Sequence, residues 1–79
     1  MSEQQIYAKL EEIFMDVFDL DEVDLFEDTT ADDIDEWDSL EHINLIEAVE
    51  KEFGMKFKMG EVSTMKNVGE MVKIIKSRI

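Results

Sequence analysis

The chain lacks cysteine altogether, so it has no disulfide framework and no side-chain thiol for nucleophilic or redox chemistry. Glycine is scarce, with three in 79 residues and none before Gly54. A Gly-rich phosphate loop is therefore excluded, and so is an EF-hand, which needs a glycine in the middle of its acidic loop. A single histidine leaves no His–carboxylate spacing for a metal centre. No apolar run approaches the roughly 18 residues of a membrane span. Met1-Ser2-Glu3-Gln4-Gln5 has neither the basic start nor the apolar stretch of a signal peptide, which makes the cytoplasm the expected location. Basic residues number only eight against 21 acids, a net charge of −13. A nucleic-acid partner is thereby excluded, because neutralising phosphates requires a basic surface.

What the chain does have is enough apolar residue, 44%, for one small globular domain with a modest core. Its charge is divided along its length. Residues 1–50 hold 18 acids and one base, Lys9, for a net −17; residues 51–79 hold three acids and seven bases, for a net +4. Such a surface steers the protein towards basic partner surfaces, although acids also serve simply to keep a small protein soluble.

Apolar periodicity predicts a first helix over about Glu3–Phe18, with Ile6, Leu10, Ile13, Phe14 and Val17 inward, Tyr7 and Phe18 beside that stripe, and Ser2 as cap. From Asp19 to Asp38 the pattern dissolves into a loop of eleven acids with no Lys or Arg. Val23, Leu25, Phe26 and Ile34 are its apolar exceptions and are expected to pin it to the helices. A loop this long in so small a domain is ordinarily functional or tethered. Loose divalent binding is conceivable there, but no acid spacing fits a dedicated metal site.

The next helix is expected from Ser39 to about Phe53. Leu40, Ile43, Ile46, Val49 and Phe53 form its inner stripe, Leu45 and Ala48 widen it, and Glu41, Asn44, Glu47, Glu50 and Lys51 face solvent. Asp38 is a good N-cap, Glu41 stands at the capping-box position, and Gly54 suits the left-handed residue that ends a helix. Lys58–Met65 reads as a short third helix around Val62, weakened by Gly60. The last helix is predicted from about Val68 to Ile79, capped by Asn67 with Glu70 at the capping-box position. Val68, Met71, Val72, Ile75 and Ile79 form its inner face, and Lys73, Lys76 and Arg78 suit its C-terminal end. The expected architecture is all-α, a small four-helix bundle of three longer helices and one short one, with a long acidic loop between the first and second.

Ser39 is the chemically interesting residue. Its short hydroxyl falls on the first turn of a helix, beside unpaired N–H groups and the positive end of the helix dipole, where a phosphate ester is electrostatically tolerated. His42, three residues on, shares that face. The pair can be read as nucleophile and base, or as an exposed polar residue beside a capping serine. The second reading is preferred, since so small a bundle offers no shaped pocket or oxyanion hole. Methionines at 15, 55, 59, 65 and 71 are adaptable side chains that fill irregular cores or allow a space between helices to expand.

The run from Trp37 to Phe57 resembles the acyl carrier protein family. The likeness is carried by Asp38-Ser39-Leu40, by Ile43, Leu45-Ile46, Val49 and Phe53, and by the ending Glu52-Phe53-Gly54. Length, acidity and helix order extend it over nearly the whole chain. It implies a non-catalytic monomeric carrier with 4′-phosphopantetheine on Ser39, whose arm supplies the thiol that the polypeptide lacks. It also implies attachment by a phosphopantetheinyl transferase from coenzyme A with a magnesium ion near Asp38. Acyl groups would be delivered to enzymes with basic docking surfaces at high effective concentration, without stable membrane association, in fatty-acid, polyketide or other acyl-transfer pathways. By the same resemblance the second helix is the partner surface, through Leu40, Glu41, Asn44, Glu47 and Glu50, and the space between helices can shelter an acyl chain.

The chain also departs from that family. Asn44, Glu47 and Lys51 stand where fatty-acid-synthesis carriers more usually show an acid, an apolar residue and an acid. Lys58, Met59 and Glu61 replace a commonly acidic short helix. Both differences point to a specialised member. A peptidyl carrier and an unmodified acidic interaction module are the competing readings; the second has no need of Ser39.

Overall fold

A computed structural model describes all residues from Met1 to Ile79. The order is α1 (Glu3–Phe18), a 3-10 turn (Ala31–Asp33), α2 (Ser39–Phe53), α3 (Met59–Thr64) and α4 (Val68–Arg78), with no strand. This is the all-α bundle expected from the sequence, three long helices and one short.

Each helix starts where a polar side chain can take up free N–H groups. At α1 a reciprocal box forms, with Gln5 N–H donating to Ser2 Oγ (3.2 Å) and Ser2 N–H to Gln5 Oε1 (2.8 Å). Asp38 Oδ1 accepts from Glu41 N–H at 2.8 Å and Asn67 Oδ1 from Glu70 N–H at 2.9 Å. The return halves expected of Glu41 and Glu70 do not form. Asp38 N–H donates to Glu36 O, while the Glu41 carboxylate accepts from Asn44 Nδ2 one turn along. Glu70 reaches past Asn67 to Lys66 N–H. Gly54 closes α2 in the left-handed region at φ 63°, as its lack of a Cβ permits. Asp19 closes α1 in the same region at φ 55°, a conformation that Asp tolerates better than most residues.

The core lies where α1 crosses α2 and α4. Ile6, Leu10 and Phe14 from α1, Leu45 and Val49 from α2, and Val68, Met71, Val72 and Ile75 from α4 are all but sealed from solvent. Phe18 is buried among them, whereas Val17 stays half-exposed. The inner stripe assigned to α2 needs correcting: Leu40 is 70% and Ile43 55% exposed, and the buried face is Leu45, Ile46 and Val49. Phe53 packs only at its margin. The stripe drawn through positions 40 and 43 follows apolar spacing, but the face of α2 that is buried is the one carrying residues 45, 46 and 49. Ile79 also differs from expectation, lying past the last turn and half-exposed.

The acidic loop is held at several points. Leu25, Ile34 and Trp37 enter the core, and Val23 packs against it, whereas Phe26 points outward at 63% exposure. Leu25 N–H donates to Glu11 on α1 at 3.0 Å. Thr29 is buried and closes a small turn with Phe26, its hydroxyl accepting from Phe26 N–H. The first N–H groups of α4, from Val68 and Gly69, donate to the Thr29 and Glu27 carbonyls at 2.9 Å each, so the loop satisfies a helix end that would otherwise need water. No helix is long and apolar enough to cross a membrane.

Candidate functional site

The sequence-derived site sits where the acidic loop enters α2. Ser39 is the first residue of the helix and is exposed. With Asp38 Oδ1 engaged by Glu41 N–H and the Asp38 carbonyl by His42 N–H (2.9 Å), the N–H groups of Ser39 and Leu40 find no acceptor in the protein. The second oxygen of Asp38 likewise accepts nothing. An exposed hydroxyl therefore lies beside free N–H donors at the positive end of a 15-residue helix, with a carboxylate oxygen at hand.

An open cavity of about 430 Å³ begins at Ser39 and runs between the start of α2 and α3, with Trp37, His42, Val62 and Lys66 in its lining. On the other side of Val62 and Ser63 lies a more apolar groove of about 540 Å³, walled by Ile43, Ile46, Phe57 and Met59. Leu40, Ile43 and Met59, 70%, 55% and 89% exposed, surround this end of the molecule with apolar surface.

His42 is neither of the two things expected of it. It is half-buried, and both ring nitrogens are engaged. Trp37 Nε1, which can only donate, lies 3.0 Å from His42 Nδ1. That nitrogen must accept, which puts the proton of the neutral ring on Nε2, 3.3 Å from the Val62 carbonyl. The ring cannot take a proton from Ser39 through either nitrogen without giving up one of these bonds. Trp37 in turn meets Phe14 edge to face at 5.1 Å, and its plane lies within 22° of the His42 ring to which it is bonded. Sequence reasoning missed this Trp37–His42–Val62 link, because its members lie in a loop, a helix and another helix with no shared period.

The expected partner residues divide. Leu40, Asn44 and Glu47 are exposed on α2, and Glu41 is half-buried and bonded to Asn44. Glu50 does not face solvent: its side chain is 16% exposed and its Oε2 accepts from Phe57 N–H at 2.8 Å, fastening the link after α2. Its remaining oxygen stands 4.0 Å from Lys56 Nζ.

No residue of α3 is fully buried; Val62 packs against the edge of the core and polar ties hold the rest of the helix. Arg78 at the end of α4 grips both Glu61 carboxylate oxygens and also donates to the Lys56 carbonyl. The Arg78 hydrogen bonds, with help from Lys58 N–H, pull the Glu61 carboxyl down to about 2. No three carboxylate or imidazole groups converge as a metal-ligand set.

Comparison with known proteins agrees with this arrangement. The family model of the phosphopantetheine attachment site matches residues 8–75. The acyl carrier protein of Lactobacillus acidophilus is 35% identical over 78 residues, spanning 98% of this chain and 96% of its own. That of Petrotoga mobilis is 31% identical over 80 residues, spanning 100% and 93%. The solution structure of the holo acyl carrier protein from Geobacter metallireducens superposes with a TM-score of 0.85 at 42% identity, covering 91% of this chain and 83% of that one. Matched over nearly its full length in sequence and in fold, the chain belongs to the acyl carrier protein family, which carries acyl groups on covalently attached 4′-phosphopantetheine.

Proposed function

We propose that Ser39 is the residue that bears the arm. The observation that carries this reading is the position of its hydroxyl: exposed, on the first helical turn, beside the unpaired N–H groups of Ser39 and Leu40 and at the mouth of the 430 Å³ cavity. These features suit a phosphodiester. Its charge meets the helix dipole and free donors, and the rest of a flexible chain has a trough to follow. The other serines lack such surroundings: Ser63 and Ser77 donate to carbonyls of their own helices, and Ser2 is committed to capping α1.

When attached, the group supplies a thiol at the end of a long tether, on which an acyl chain travels as a thioester. The protein's own residues fix where that tether starts. Asp38 caps α2 and keeps one oxygen free, which could help hold the magnesium ion that a transferase uses. Leu40, Asn44 and Glu47 present a mixed apolar and acidic face to enzymes with basic docking surfaces, and Glu41 contributes at its edge. The chain catalyses nothing itself; it is a substrate of a phosphopantetheinyl transferase and then of acyl-handling enzymes. The Lys51, Lys58 and Asn44 positions favour a specialised pathway with its own partners.

The test is intact mass after incubation with a broad-specificity phosphopantetheinyl transferase, coenzyme A and magnesium. The wild-type chain gains one pantetheine phosphate and Ser39→Ala gains none. Equal labelling of both, or labelling of neither, overturns the assignment.

A further inference from the structure

We propose that His42 is a positioning residue for the arm, a role that rests on attachment at Ser39. Its imidazole joins the two sides of the cavity in which that arm would lie. Trp37, on the loop side, donates to Nδ1, and Nε2–H donates to the Val62 carbonyl on α3. All three residues line the same 430 Å³ space as Ser39.

The link matters because α3 has few other ties at its C-terminal end. It is six residues long, none of them fully buried, and only Val62 packs against the core. The Arg78 fork grips Glu61 and Lys56, near its N-terminal end. At the other end, helix carbonyls have no intrahelical donors and need outside partners. The N–H that would ordinarily reach the Val62 carbonyl is that of Lys66, and it turns away to Glu70 Oε2 at 2.6 Å. His42 takes its place, capping α3 from α2 as a C-terminal imidazole can. The Trp37 bond leaves the ring one proton arrangement and holds it within 22° of the indole plane. One side chain thus sets both the tilt of Trp37 and the approach of α3, and so the width of the trough beside Ser39.

Without His42 the trough loses its definition while the core, built by α1, α2 and α4, stays intact. The arm would then be attached but no longer guided along α3 towards the apolar groove beyond Val62 and Ser63.

Holo-protein prepared from wild type, His42→Ala and His42→Asn separates these effects. Intact mass comes first: if the wild type takes no arm, attachment at Ser39 is what fails. On loaded protein, isotope-edited NMR then reads contacts between pantetheine protons and the Trp37 and Val62 side chains, together with the Trp37 indole N–H resonance. Wild-type protein shows both contacts. His42→Ala loses both, and its indole resonance moves to the position of an unbonded indole. His42→Asn, whose amide oxygen stands near the place of Nδ1, restores the indole resonance and the Trp37 contact but not the Val62 contact. A wild-type arm that touches neither residue overturns the proposal, as does an arm that keeps both contacts in His42→Ala. Should His42→Ala fail to fold, His42→Asn decides alone, and persistence of its Val62 contact counts against the role.

Discussion

Gly69 lies directly beneath Glu27. Its N–H donates to the Glu27 carbonyl at 2.9 Å, and a Cβ at residue 69 would stand 2.7 Å from that same oxygen and 2.6 Å from Glu27 Cγ. The acidic loop and the first turn of α4 are thus in backbone contact, and the missing side chain is what allows it.

Gly69→Ala tests that contact. Helix propensity alone would favour alanine by about 1 kcal/mol. The clash is with backbone, so the loop must withdraw from α4, and overpacking of this kind costs about 1–3 kcal/mol. The net expectation is a loss of roughly 1 kcal/mol, lowering the melting temperature by about 4–8 °C in a domain of this size. A raised melting temperature would mean that the loop yields freely and is not pinned there.

Asp38 caps α2, and two substitutions separate that from the part in loading proposed for it. Asparagine caps helices as well as aspartate does, whereas alanine forfeits about 1 kcal/mol. Asp38→Asn should melt like the wild type, and Asp38→Ala should melt lower. Both should be labelled more slowly by the transferase, because both lack the free carboxylate oxygen next to Ser39. Normal labelling of Asp38→Asn, measured by mass against time, would confine Asp38 to capping.

Exposed and buried leucines on α2 should behave oppositely. Leu45 is fully enclosed, so Leu45→Ala is expected to cost about 2–5 kcal/mol, a large share of the 5–15 kcal/mol typical of a whole domain. Leu40, 70% exposed, should change stability by no more than about 0.5 kcal/mol when replaced by alanine. Its loss should instead weaken use of the loaded carrier by acyl-handling enzymes, seen as a raised KM. Chemical denaturation of the two variants gives the stabilities, and a substantial loss in Leu40→Ala would return that residue to the core.

This contrast marks the limit of what the sequence discloses. Helix limits were legible because they are written in local chemistry: Ser2, Asp38 and Asn67 at the starts and Gly54 at an end all cap as expected. The place of Ser39 on the first turn of α2 was legible for the same reason. The face of α2 was not. Leucine and isoleucine look alike whether they meet α1 or a visiting enzyme, so Leu40 and Ile43 were assigned inward on spacing alone. Trp37 stands in an acid-rich stretch without period, and the His42–Val62 bond joins residues twenty apart in sequence. Such ties depend on how helices pack, which no single segment encodes. The turn of Glu50 towards Phe57 N–H belongs to the same class.

The Arg78–Glu61 pair should give α3 a recognisable response to acid. Glu61 titrates at about 2 in the folded protein, below its ordinary value of 4.5. A carboxyl lowered in this way contributes stability that is complete above its unfolded value and vanishes as pH falls through the folded one. The gap in melting temperature between wild type and Glu61→Gln should therefore be full near neutrality, shrink from about pH 4.5 and be gone near pH 2. The gap should be small throughout, because the pair is a quarter exposed and solvent weakens it. A gap that does not change with pH would mean that Arg78 holds α3 chiefly through the Lys56 carbonyl.

Trp37 is the only tryptophan in the chain, and it is buried between Phe14 and the His42 ring within reach of Ser39. The molecule therefore has a single dominant emitter, placed where the loop, α2 and α3 meet. Its fluorescence wavelength and quenching should register loading of the carrier and release of its cargo in real time, without any dye, which would let successive enzymes be followed on unlabelled protein.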